Sequence, residues 1–377
     1  MQNACKPIVL AALLAASGAA FAQVPDLLTA LDSGGRAMGV GGATRVTDST
    51  TYSALDNPAG LAYITEPTVG TSFRNLPKST TTAFGNFNDR NFDFTEQPGR
   101  TALSHVGYAM PMKGGTLGVS YTIGGHIDNR TNGNNLSNGA LTVQGLNEES
   151  RAQTDFFTVS YGRQIGNGFN AGVGIVLANQ YVKFSQSYTL FNGNTPVGNS
   201  SFDASSNGFG VGLVAGVQGY LEADGSAQWG LSIRTPINLT NNNETSAIYD
   251  VIPGKLSFGA AGQMKGVGKG EEFLVWAAQV DYNFGGKATD RFGRDNTLGY
   301  GLGLEYNFSR YNARIPLRFG FQGVPSMGDG FSSRNAFTFG FGYRPNGQPY
   351  SIDFNVARST ETGRYDFGLG FVYKPQK

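Results

Sequence analysis

The sequence is short of the residues that most soluble enzymes use for chemistry. It has one cysteine, two histidines and two tryptophans in 377 residues. The cysteine, Cys5, lies in an N-terminal stretch that reads as an export signal: Lys6, an apolar run from Ile8 to Ala22, and Ala20-Phe21-Ala22 as a small-residue cleavage site. Residues 1–22 are therefore expected to be removed before Gln23, which leaves no disulfide framework and no thiolate metal ligand. Charge is scarce too, at 15% of residues with a net balance of +1, so bulk attraction to nucleic acid is excluded. After the signal no run approaches about 18 consecutive apolar residues, which excludes a membrane-spanning helix. Any crossing of a membrane must be made by strands.

What is abundant is glycine and aromatic residues, with Gly 55, Phe 27 and Tyr 17. The stretch 32–64 concentrates glycines at 34, 35, 39, 41, 42 and 60 and ends in Asn57-Pro58-Ala59-Gly60. It can form neither a long helix nor a regular ladder. Irregular backbone at membrane depth persists only where protein or water supplies partners for its N–H and C=O groups. A plug within a barrel meets that condition, and a surface loop ahead of a soluble β domain meets it as well.

From residue 66 onward the pattern is period two. Leu298, Tyr300, Leu302, Leu304, Tyr306 and Phe308 alternate with Gly299, Gly301, Gly303, Glu305 and Asn307. Phe337, Phe339, Phe341 and Tyr343 repeat the pattern, as do Tyr365, Phe367, Leu369, Phe371 and Tyr373. Each strand then has one greasy face and one small or polar face. A soluble sandwich would load the second face with Lys, Glu and Arg, whereas here it is glycine and uncharged amide or hydroxyl. A barrel in lipid inverts the arrangement and fits.

Strands are expected near 67–75, 101–111, 115–125, 153–164, 169–190, 207–221, 227–239, 254–264, 273–285, 297–309, 314–323, 335–344, 350–358 and 365–374. Tight turns at 112–114, 165–168, 222–225, 310–313 and 345–347 alternate with long polar loops at 126–152, 191–206, 240–253, 286–296 and 324–334. The fold class is all-β: an antiparallel transmembrane barrel of about fourteen strands, with an N-terminal hatch in its lumen. The domains are a signal peptide (1–22), the hatch (23–65) and the barrel (66–377).

Gly35-Arg36-Ala37, Gly42-Ala43, Asp48 and Asn57-Pro58-Ala59 resemble the hatch of the FadL/TodX family of outer-membrane transporters for long-chain fatty acids and other hydrophobic molecules. The resemblance extends to the segments 229–236, 252–259 and 317–321, and so spans the mature chain. It implies capture of substrate among extracellular loops, a pocket between hatch and wall, and sideways release beside a kinked third strand. In this sequence Gly118, Gly124 and Gly125 would permit the kink. The implied partners are a hydrophobic small molecule, the lipid and lipopolysaccharide of a Gram-negative outer membrane, and the barrel assembly machinery. The terminus departs from the usual barrel ending, because Tyr373 is followed by four more residues.

Alternation places Arg234, Lys255 and Arg318 on the inner face, with Arg36 in the hatch, as candidates to meet a carboxylate head. The inner acids Asp281, Glu305, Asp353 and Asp366 could equally pair with those cations and hold the hatch. No enzyme, metal or cofactor site is expected. Ser104 beside His105 should face the opposite side of its strand, and Gly266-Val267-Gly268-Lys269-Gly270 lacks the Ser or Thr of a phosphate loop. Two other readings remain at this point: a partner-binding barrel of a secretion system, and an aqueous porin.

Overall fold

The computed structural model describes residues 35–85, 90–133, 136–138, 141–222, 224–241, 251–268, 271–285, 296–324, 334–360, 363 and 365–375. The expected signal, and residues 23–34 of the expected hatch, lie outside them. Fourteen long strands form one sheet that closes on itself. They are β1 (Thr68–Gly85), β2 (Arg90–Met112), β3 (Gly115–Gly133), β4 (Leu141–Gly166), β5 (Phe169–Asn192), β6 (Thr195–Tyr220) and β7 (Ala227–Arg234), followed by β8 (Gly254–Lys265), β9 (Phe273–Phe284), β10 (Thr297–Arg310), β11 (Ala313–Val324), β12 (Arg334–Pro345), β13 (Tyr350–Ser359) and β14 (Tyr365–Tyr373). Each pairs antiparallel with its sequence neighbours, β1 pairs with β14, and β6 pairs with β7, so the ring has no open seam along its base. All fourteen expected strands are present.

The alternation sorts residues as a lipid-facing barrel requires. On β10, Leu302 and Leu304 are 53% and 47% exposed, while Glu305 and Asn307 between and beside them are 2% and 1% exposed. Phe319, Phe337, Phe339, Phe341, Phe367 and Leu369 stand outward on β11, β12 and β14. A charged inner face under an apolar outer face is stable only with hydrocarbon outside.

The wall is uneven in height. Strands β1 to β6 run 18, 23, 19, 26, 24 and 26 residues, against 8 to 14 for the rest. Two expected loops are therefore corrected: most of 126–152 is strand, as is 191–206 apart from the turn at 193–194. Their residues are polar on both faces, which erases the period-two signal, but ladder hydrogen bonds are made by backbone and survive without it. The expected loops at 286–296 and 324–334 fall mostly outside the described residues. Strand 227–239 is also corrected. The wall strand ends at Arg234, and beyond Pro236, which has no N–H to donate, Ile237–Asn238 turns inward and pairs with Val251–Ile252.

Residues 35–64 lie inside the ring. They comprise α1 (Gly35–Gly39), α2 (Ser53–Asp56) and a 3₁₀ turn (Pro58–Tyr63) joined by bends. The chain works round the wall and meets the inner face of every strand. Gly35 and Met38 lie against β14, Gly39 against β12 and β13, and Gly41 against β10 and β11. Val46 packs on β7 and β8 and donates its N–H to Gln279 of β9, Asn57 reaches β6, Pro58 lies on β4 and β5, Leu61 on β3, and Thr51 on β1 and β2. At Gly230 a Cβ would strike the Val46 carbonyl, and at Gly320 it would strike the backbone of Val40 and Gly41. Only glycine lets the two backbones come so close at these points.

Leu302 tests the inverted arrangement. Leu302→Arg should cost about 2–4 kcal/mol if the residue faces mid-bilayer hydrocarbon, measured by urea unfolding of the barrel in phospholipid vesicles. A loss below about 0.5 kcal/mol, the usual effect of a surface substitution, would remove Leu302 from the lipid face.

Candidate functional site

The four candidate cations divide into two groups. Arg36 of the insert grips Glu305 of β10 with both ends of its guanidinium, Nε to Oε2 at 2.8 Å and Nη2 to Oε1 at 3.2 Å. Arg318 of β11 donates to the same carboxylate at 2.6 Å and to Asp353 of β13 at 2.7 Å. Asp48 lies 3.7 Å from Arg36, and Arg344 lies 3.9 Å from Asp353. Burial opposes the charge on Arg36, but Glu305 and Asp48 outweigh it and hold the guanidinium above its ordinary pKa. Arg318 is fully buried. These groups are committed to one another, so the cluster ties insert to wall and leaves Arg36 and Arg318 poorly placed to meet a ligand. Arg45 makes a second tie to Asp281 of β9.

The motif Asn57-Pro58-Ala59 works locally. The Asn57 side chain donates to Val46 O at 2.7 Å and to Val217 O at 3.2 Å, and accepts from Ala59 N at 3.2 Å. One amide thus closes a turn of the insert, caps the 3₁₀ segment and fastens both to β6. Gly42, with φ of 74°, takes a bend that L side chains resist, and Ala43 packs into Ala261 and Ala277 of the wall. Ala37 is buried within α1.

Arg234 and Lys255, in contrast, are cross-strand partners on β7 and β8. With Arg45, Asp56, Ser232, Ser257 and Gln279 they line a small polar gap that Leu55 and Val46 close from the insert. Against it lies an apolar cluster inside the lumen: Leu55, Phe156, Val176, Ala178, Val214, Ile237, Leu239 and Ile252. The Arg234 guanidinium sits 4.5 Å over the Phe156 ring and joins the two. Sequence reading missed this cluster. Its signature is apolar residues at consecutive positions, as in Phe156-Phe157, Ile175-Val176-Leu177 and Leu213-Val214, where strict alternation would have put a small or polar residue inside.

The wall changes character between β2 and β3. Their ladder runs from Met112 and Gly115 to His105 and Thr122, and stops there. Above it β2 continues along β1, and β3 continues along β4. The next bond on that edge of β3 is a parallel pairing of Asn129–Gly133 with Ser79–Ala83 of β1. Between the two contacts, residues 123–128 of β3 have no ladder partner on that side among the described residues. A β-bulge falls there, because Ile123 pairs with Asp155 and Gly125 with Thr154, leaving Gly124 extra. Beside the gap pack buried Leu76 and Ile123 with Ala102 and Tyr121, and Arg100 of β2 reaches across to Gln153 of β4 at 3.0 Å. Of the three glycines expected at a kink, Gly124 forms the bulge and Gly125 resumes the ladder. Gly118 instead sits in regular pairing, where a Cβ would strike Leu61. A Cβ at Gly124 would strike the Phe156 ring, so the window adjoins the apolar cluster directly.

One expectation about the enzyme-like pair fails. A bulge between Ser72 and Phe73 pairings puts Ser104 and His105 both inward rather than on opposite faces. They are still not a nucleophile and its base. Ser104 bonds Ser72 at 2.9 Å, while His105 bonds Thr51 through Nε2 at 3.0 Å and Thr122 through Nδ1 at 2.8 Å. Among the described residues no group of His, Asp or Glu is arranged to hold a metal ion.

No family model matches the sequence, and no curated protein matches it. Solved structures share its fold at low identity. A FadL homologue of Pseudomonas aeruginosa is 14% identical over 91% of this chain and 98% of its own, with a TM-score of 0.61. The toluene transporter TbuX of Ralstonia pickettii is 13% identical over the same shares, also at 0.61, and the toluene transporter TodX of Pseudomonas putida is 11% identical over 92% and 99%, at 0.60. The chain thus has the fold of the FadL-type outer-membrane channels.

The ion cluster yields an ordering. Glu305→Ala removes the carboxylate shared by buried Arg318 and part-buried Arg36, leaving them Asp353 and Asp48 alone, and should cost about 3 kcal/mol, whereas Arg36→Ala leaves the Arg318–Glu305 pair intact and should cost clearly less. Urea midpoints in vesicles measure both, and equal losses would contradict Glu305 as the shared hub.

Proposed function

We propose that this protein carries hydrophobic molecules passively across the outer membrane of a Gram-negative bacterium. The insert over residues 35–64 acts as a hatch, the substrate rests in the apolar cluster beside it, and release is sideways into the bilayer through the β2–β3 window. The observation that carries this reading is the contact of Phe156 with Gly124, which joins the apolar cluster inside the lumen to a stretch of the wall that lacks ladder bonds between β2 and β3. The fold shared with TbuX and TodX supports the substrate class. Physical reasoning supports it as well: burial is worth roughly 0.8 kcal/mol per methylene, so an apolar site holds such a molecule with few polar contacts. Exit into lipid avoids returning it to water. Arg234 and Lys255, at the polar end of the cluster, are placed to meet the polar head of an amphipathic substrate, while Arg36 and Arg318 serve the hatch. Lipid and lipopolysaccharide surround the barrel as solvent, and the assembly machinery inserts it.

The test is to fill the contact and then empty it again. Overpacking costs roughly 1–3 kcal/mol, so Gly124→Leu should slow uptake of radiolabelled toluene or oleate about tenfold, with heat-modifiable gel mobility showing a folded barrel. Adding Phe156→Ala should restore much of the rate by returning the space. Uptake that ignores Gly124→Leu would exclude the window as the route.

A further inference from the structure

One side chain touches all three parts that the release route must coordinate. His105 occupies the last rung of the β2–β3 ladder, opposite Thr122, at the lower corner of the window. Its Nδ1 is bonded to Thr122 of β3 at 2.8 Å, and its Nε2 to Thr51 of the insert at 3.0 Å. The ring also stacks on Tyr52 of the insert, centroids 3.7 Å apart and planes 17° from parallel. Directly beyond it, Ser104 is the bulged residue of β2 and is bonded to Ser72 of β1. The imidazole is fully buried. Separating β2 from β3 by one more rung must break the Thr122 bond. Shifting residues 51–52 of the insert must break the Thr51 bond and the stack.

We propose that His105 is the positioning residue that couples the insert to the window, so that displacement of Thr51 and Tyr52 frees the last β2–β3 rung and widens the opening. This rests on the transport reading for its purpose but not for its measurement. A hydrogen bond shared at both ends of one rigid ring transmits displacement because the ring cannot satisfy either hydroxyl from a shifted position. The geometry also explains why a histidine stands here among the inward glycine, alanine and hydroxyl residues of β2 and the lower part of β3: its two ring nitrogens point in different directions and serve two partners. A serine or glutamine does not provide two divergent contacts and an aromatic stacking surface together.

The sequence has a single cysteine, Cys5, in the expected signal, so in a Cys5→Ser background one introduced cysteine reports on the window. Ile123→Cys is buried in the side-chain seal of the window. Ala43→Cys is buried where the insert meets the far wall and serves as the control. Full-length protein in lipid nanodiscs is labelled with a polar maleimide. Thr51→Val should raise the labelling rate at position 123 about fivefold, the population shift expected from losing one neutral hydrogen bond, and leave the rate at 43 unchanged. His105→Ala should raise it further, and adding Thr51→Val to His105→Ala should add nothing. Rates at 123 that do not change, or that rise equally at 43, would overturn the coupling and make His105 a packing residue. If His105→Ala does not fold, Thr51→Val and Thr122→Val decide by the same ratio. Labelling requires no substrate, so a protein that fails to take up toluene or oleate but shows the selective rise would retain the coupling and lose the transport reading, and the reverse result would do the opposite.

Discussion

Buried backbone must be paired, and that requirement governs the interior of this barrel. Thirty residues of bends and single helical turns pair only in part with themselves, as in Gly42 N to Ala37 O and Asn57 N to Ser53 O, and the wall supplies further partners. Thr338 donates to Gly39 O, Asn355 to Gly35 O, Gln218 and Gln228 to Thr47 O, Ser160 to Ala54 O and Thr116 to Ile64 O, while Gln279 accepts from Val46 N. The amides and hydroxyls that alternate with Leu and Phe along each strand are therefore partners for the insert. The glycines among them mark where its backbone lies flat on the wall. The Glu305 cluster adds a charged tie in which Glu305 is the shared hub between Arg36 and Arg318, so its loss costs most.

The same requirement makes the window informative. Along most of the described wall the strands are held by ladder bonds, but between His105 and Asn129 the β2-side edge of β3 has none, and Leu76 and Ile123 pack there. Apolar contacts are non-directional and can slide, whereas ladder bonds must be broken one at a time. A seal of this kind suits a passage for molecules that share its chemistry. The Gly124 bulge turns β3 away from β2, and Phe156 behind it carries the apolar surface from the lumen to that point.

Much of this was legible in the sequence, and for a physical reason. Where hydrocarbon faces one side and a packed insert the other, the two faces of a strand have opposite demands, and every lipid-crossing strand shows them. Arg36, Arg318 and their acids were visible as an inner-face set, because a charge at a glycine-phase position has no solvent to meet. The strand extensions of β3, β4 and β6 were not legible, since both faces there are mostly polar, whereas β5 was read to within two residues. Nor was the bulge at Ser104, which shifts the phase by one residue without changing composition, whereas the glycines of β3 marked where one could form. The apolar lumen cluster was hidden because the outward residue of each apolar pair, such as Phe157 or Leu213, already accounted for the strand.

The account stands on a lumen that the insert fills and a route that leaves by the side, so electrical recording of the purified full-length protein in a planar bilayer tests it most directly. The expected record is silent, with no steady ohmic conductance, from preparations that in vesicles speed the uptake of a hydrophobic compound over protein-free controls. A steady, porin-like conductance in the same preparations would contradict it.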